Sequence, residues 1–146
     1  MGEPPMKTTY LFGLLVTFQA AHSIEEVTFG LYDWLPFFRW MDSVETGGSA
    51  FVFVVVNIGI VVFGYWCYFA RVRPGHPSSR FLITLWVTIE ILNGIGHPTW
   101  SALVRSYVPG TATAPLLLIT SLLLIWTINR QPYRAGAIRP PRNTGQ

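Results

Sequence analysis

The segment His22-Ser23-Ile24-Glu25-Glu26 places an imidazole and two carboxylates inside a run, Thr8 to Leu31, that is otherwise apolar enough to enter a bilayer. Each ionisable residue near the middle of a spanning helix costs about 2.5–3.5 kcal/mol on insertion scales, and each apolar residue returns only about 0.3–0.6 kcal/mol. Such a helix inserts poorly alone and needs partners at matching depth. A later apolar segment offers them in Glu90, Asn93 and His97. Residues three and four apart share a helix face. Gln19, His22, Glu25 and Glu26 therefore make one polar stripe, and Glu90, Asn93 and His97 another. At about 1.5 Å rise per residue, His22 lies roughly 21 Å and Glu26 roughly 27 Å past Thr8, while Glu90 lies roughly 15 Å and His97 roughly 26 Å past Arg80. His22, Glu25, Glu26 and His97 are expected at one depth, with Glu90 a turn or two away.

Three chemistries suit these groups. In the first, His22, Glu25, Glu26, Glu90 and His97 are candidate ligands of a divalent metal. Imidazole with carboxylate suits zinc, iron or manganese, and helical bundles build such sites from inward-facing Glu and His at i, i+3 spacing. Glu25, Glu26, Asn93 and Tyr107 are the candidate catalytic groups, a spare glutamate serving as general base. A metal-dependent hydrolase or lipid-modifying enzyme acting on a hydrophobic small molecule is the leading expectation. In the second, the glutamates paired with His22 or His97 move a proton on an apolar substrate without metal, as a double-bond isomerase does. In the third, the same groups relay protons or cations for transport or sensing, which four short spans could do only as a homo-oligomer. A Glu–His pair can also act as packing glue worth about 1 kcal/mol, but so many costly groups favour function. Asn57 reads as a packing amide. Tyr107-Val108-Pro109-Gly110 reads equally as a turn or as a route for Tyr107 into the site.

The elements that must hold these residues follow from composition. Of 146 residues, 51% are hydrophobic and 12% charged, half the charge of an average soluble domain at about 25%. One small membrane domain, residues 1–130, is expected. Its class is all-α, a four-helix transmembrane bundle with spans near 8–31, 49–70, 80–103 and 112–128. Lys7, the Arg71–Arg80 connection and the arginines after Ile128 put both termini on the cytoplasmic side. The aromatic stretch Tyr32–Met41 reads as a short amphipathic element on the outer interface, and Gly47-Gly48-Ser49 as a turn into the second span. Residues 131–146 read as a basic, Pro- and Gly-rich cytoplasmic tail. Hydrophobicity continuing past Glu26 argues against a cleaved signal peptide. Cys67, the single cysteine, reads as a buried inert thiol, and His76 as a solvated loop residue. Phosphate loops and nucleotide motifs are absent, and no basic cluster suits nucleic acid. Membrane lipids are the expected partners.

His-x-x-Glu-Glu at His22–Glu26, the later His97 and Tyr107-Val108-Pro109-Gly110 together resemble the HXXEE-domain family of small bacterial membrane proteins. That family is defined by an H-x-x-E-E motif, a further histidine and a Y-x-P-G motif. The resemblance covers the chain from the first span to the fourth. It implies a bacterial cytoplasmic membrane protein and supports the choice of residues, and it carries no assigned reaction.

Overall fold

The computed structural model describes residues 6–44 and 48–130, and the tail assigned to 131–146 and the turn residue Gly47 lie outside the described residues. The described residues form five α-helices and no strand, in keeping with the all-α expectation. They are α1 (Met6–Thr28), α2 (Pro36–Val44), α3 (Gly48–Cys67), α4 (Ser79–Val104) and α5 (Ala114–Arg130).

Helix ends fall where local chemistry stops them. Gly30 adopts φ 67°, a left-handed conformation that suits glycine, so α1 ends at Thr28 and a 3-10 turn, Leu31–Asp33, follows. The Asp42 carboxylate accepts bonds from the Ser49 amide (3.2 Å) and the Ser49 hydroxyl, tying the end of α2 to the start of α3. A π-helical turn, Tyr68–Val72, extends α3. The segment Gly48–Val72, with a mean hydropathy of 2.2 over its most apolar 18 residues, is long and apolar enough to cross a membrane; α5 is apolar but shorter. Pro98 sits inside α4 and removes one helical amide donor. The helix nevertheless continues to Val104, where left-handed Arg105 stops it and donates its amide to the Ser101 carbonyl.

α1 packs against α3 and α5, and α4 packs against α5. The core joins Phe12, Leu15 and Val16 of α1 to Ile83, Trp86 and Val87 of α4 and Leu117 and Leu124 of α5. Trp86 is its centre, edge-on to Phe12 (6.4 Å between centroids) and stacked on Phe63 (6.1 Å). Buried Cys67 belongs to this layer. One to two turns farther along α1 and α4 the buried residues become polar: Gln19, His22, Glu90 and His97. A second apolar cluster of Leu31, Phe53 and Val108, flanked by Trp34, Phe38 and Trp100, covers that polar layer's far side. α2 is the expected aromatic element: Phe38 sits edge-on to Phe53 at 5.2 Å, while Phe37 and Trp40 are exposed.

α4 and α5 meet backbone to backbone at Gly94. A Cβ there would lie 2.7 Å from the Leu118 Cβ and 3.1 Å from the Ala114 carbonyl oxygen, whereas one at Gly96 would meet nothing within 4 Å. Gly94→Val should therefore destabilise the fold by about 1–3 kcal/mol through overpacking, read as a lower thermal midpoint in micelles. Gly96→Ala should leave the midpoint unchanged or raise it.

Candidate metal centre

The centre is assembled from three elements: the last turns of α1, the His97 turn of α4 and the loop 107–113 that leads into α5. Glu25 gathers the loop. Its Oε1 accepts from the Tyr107 hydroxyl, the Gly110 amide (2.9 Å) and the Ala112 amide (3.0 Å). Its Oε2 accepts from the Thr113 amide (2.9 Å) and the Thr113 hydroxyl (2.6 Å). Five donors fill the roughly four lone-pair sites of a carboxylate, so none is left for a cation in this arrangement. Charge-assisted bonds of this kind are about twice as strong as neutral ones. They also satisfy amides at the start of α5 that have no helical partner.

The same loop sets both imidazoles. Gly110 has φ 97°, and a Cβ on it would lie 2.6 Å from His97 Cε1 and 2.8 Å from His22 Cε1. Only glycine fits, for both conformation and space. Thr113 Oγ1 lies 2.7 Å from His22 Nδ1. The Thr113 hydroxyl carries one proton, and its 2.6 Å bond to Glu25 uses it. The threonine oxygen therefore accepts from His22 Nδ1–H, and the lone pair of neutral His22 resides on Nε2.

That Nε2 lies 3.2 Å from Glu26 Oε1, and His97 Nε2 lies 3.2 Å from the same oxygen. The two rings meet edge-on with centroids 4.8 Å apart. One potential ligand atom from each of His22, Glu26 and His97 falls within 4.8 Å of the others. Ligands at about 2.0–2.1 Å from a tetrahedral metal stand roughly 3.3 Å apart, close to both nitrogen–oxygen separations. His22 Nε2 is buried, and the polar atom it faces is Glu26 Oε1. A lone pair facing a carboxylate oxygen is repulsive unless a cation or proton lies between them. The donor set thus fits a metal ion.

Glu90 and Asn93 lie beside this group. Glu90 is completely buried, and Asn93 Nδ2 donates to its Oε2 at 3.2 Å. With its amide nitrogen turned toward Glu90, Gln19 donates to both carboxylate oxygens (3.1 and 2.8 Å) and accepts from Ser23 Oγ (3.2 Å). Among the described residues no Lys, Arg or His pairs with Glu90. The structure thus brings His22, Glu26 and His97 together, gives Glu25 and Tyr107 to the loop, and holds Glu90 and Asn93 in an adjoining amide-lined niche. His76 is remote, bonded to Arg71 (2.7 Å) and Ser78. Thr113 and Gly110 are site residues that spacing arguments did not single out as such. The available signal was Thr113 immediately before an apolar helix, a position where threonine commonly caps.

The fold and site define a class: an all-helical protein with a buried two-His, one-carboxylate cluster closed by a carboxylate-anchored loop. The profile of the family described as proteins of unknown function with an HXXEE motif matches residues 13–126, and the chain belongs to that family. No curated protein matches the chain, and no solved structure does.

Burial, together with the hydrogen bond to Glu25, pushes the Tyr107 phenol up to about 12. A raised folded value favours the neutral phenol. Its contribution to the loop is full below the unfolded value near 10 and is lost as pH rises through about 12. In an alkaline absorbance titration, the transition missing from Tyr107→Phe should be the high one. Glu25→Gln should lower that transition and raise proteolytic cleavage between residues 107 and 113.

Proposed function

We propose that this protein is a multi-pass membrane protein whose His22, Glu26 and His97 bind a divalent transition metal, and that it is a metal-dependent enzyme acting on a lipid or similar hydrophobic molecule. The observation that carries the metal is the convergence of His22 Nε2 and His97 Nε2 on one carboxylate oxygen, Glu26 Oε1, at 3.2 Å each, with Thr113 Oγ1 holding the other nitrogen of His22 at 2.7 Å. A cation bound among these three atoms would be coordinated by all of them. Two imidazoles and one carboxylate with open positions suit zinc, or iron(II) in a facial arrangement, and manganese less closely. When bound, such an ion supplies Lewis acidity to a substrate oxygen. Glu90 is the residue placed to accept or return a proton, held ready by the neutral amides of Gln19 and Asn93. That niche also supports the second reading, an acid–base isomerase working without metal.

Membrane placement of α1, α3, α4 and α5 as spans is supported by their outward faces. Ile24, Ile58, Val62, Leu92, Ile119 and Leu122 are exposed at 51% or more, an apolar surface that water does not favour. Arginines gather at one end: Arg71 lies over Trp66 (5.1 Å to the ring centroid) and Arg130 over Trp126 (4.2 Å). Lys7 and Arg80 begin the two helices that start there. Basic residues beside Trp at one end support assigning that end to the cytoplasmic interface. Glu25 and Tyr107 then face the outer leaflet.

Purified protein should bind about one zinc, iron or manganese ion per chain, measured by elemental analysis after metal loading, and His22→Ala or His97→Ala should abolish it. Thr113→Val should weaken binding about 10–100-fold through loss of the partner that orients His22, while Thr113→Ser retains it. Wild-type protein that stays metal-free under all three metals would leave the isomerase reading. A cysteine introduced at Val44 should react with an impermeant thiol reagent from outside the cell, and one at Ser78 only after the cytoplasmic face is opened.

A further inference from the structure

A groove of about 330 Å³ runs between α1 and α3, at the same turns of α1 that carry His22 and Glu26 but on a different flank. Its walls are Ala20, Ile24 and Val27 from α1 and Val54, Ile58 and Val62 from α3. Three polar residues interrupt them: Thr28, which is exposed, Ser23 and Asn57. Ser23 is already engaged with Gln19. Asn57 is 5% exposed; its Nδ2 donates to the Phe53 carbonyl of its own helix (3.1 Å), and its Oδ1 is buried with no partner. A buried acceptor without a donor is rare in folded proteins and calls for an explanation.

We propose that this groove holds the hydrocarbon chain of a lipid bearing a hydroxyl group, and that the hydroxyl donates to Asn57 Oδ1. Size selects the occupant. A helix from a second copy, about 10–12 Å across with its side chains, is too broad for a cavity of this volume, which falls at the small end of the range for single-ligand pockets. Chemistry selects the rest. The walls are chiefly apolar, so a chain fits them, and the buried polar atom among them that lacks a partner is an acceptor, so the ligand must bring a donor. A plain alkyl chain would leave Asn57 unpaired, and an anionic or purely accepting group would face it unfavourably. Asn57 thus changes from a packing amide into a ligand-binding residue. This inference rests on the membrane placement proposed above and is independent of the metal, so metal analysis and the following experiment can fail separately.

The probes are a long-chain primary alcohol with a photoreactive diazirine in its chain and the matching O-methyl ether, which lacks the donor. Each is incorporated into nanodiscs with the full-length protein, and crosslinks are mapped by mass spectrometry. The alcohol should label peptides covering residues 20–28 and 54–62, be displaced by unlabelled alcohol, and exceed the ether by about fivefold, the discrimination expected of one buried hydrogen bond. Asn57→Leu should remove that preference. Ile58→Trp, at an exposed position on the groove wall, should block labelling without disturbing helix content. Equal labelling by alcohol and ether in wild-type protein would overturn the proposal. So would crosslinks between two copies through α3, which would make Asn57 a helix-joining residue.

Discussion

The Glu25 carboxylate is the interaction on which the site depends. It binds the Tyr107 hydroxyl, three backbone amides and the Thr113 hydroxyl, and so draws the loop 107–113 into the end of the bundle. Without it, the amides of Ala112 and Thr113 lose their acceptor at the start of α5. Gly110, packed on the imidazoles, and Thr113, bonded to His22, lose the same anchor. A single side chain on α1 therefore couples the loop, the start of α5 and the orientation of a histidine. The physical reason is saturation: a carboxylate in a low-dielectric setting needs about four donors, and this loop brings five.

This divides the labour within the His-x-x-Glu-Glu motif. His22 and Glu26, one helical turn apart, face His97. Glu25, one residue before Glu26, points about 100° away around the helix and meets the loop instead. The Tyr-Val-Pro-Gly segment is its counterpart, since Tyr107 and Gly110 both donate to Glu25. Gly110 has a second duty, leaving room for both imidazoles. The two motifs are complementary parts of one structure, although 82 residues separate Glu25 from Tyr107.

Polar layers in helical bundles need an apolar floor, and Trp86 supplies it here. It fills the space where α1, α3 and α4 converge, and Gly64 makes way for its ring. The polar groups then follow on the two facing helices in matched order, Gln19 toward Glu90 and, farther along, His22 and Glu26 toward His97. Depth counting set His22, Glu25, Glu26 and His97 level with one another and Glu90 a turn or two away, because rise per residue is constant along a helix; it did not pair Gln19 with Glu90.

The sequence alone determined the helical class and an apolar segment able to cross a membrane, and it singled out His22, Glu26 and His97 as candidates for one cluster. Hydrophobic run length and the cost of isolated ionisable groups are local properties, readable without a fold. It also set His22, Glu25, Glu26 and His97 at one level along their helices. Which carboxylate joins the imidazoles was not readable. Glu25 and Glu26 are chemically identical neighbours, and only the position of the loop 107–113 separates their roles. The partner of His22 Nδ1 was equally hidden, since it is Thr113, 91 residues away. These were decided by tertiary structure because hydrogen-bond direction is a property of three-dimensional neighbours, and only the fold brings those neighbours within 3 Å or so of one another.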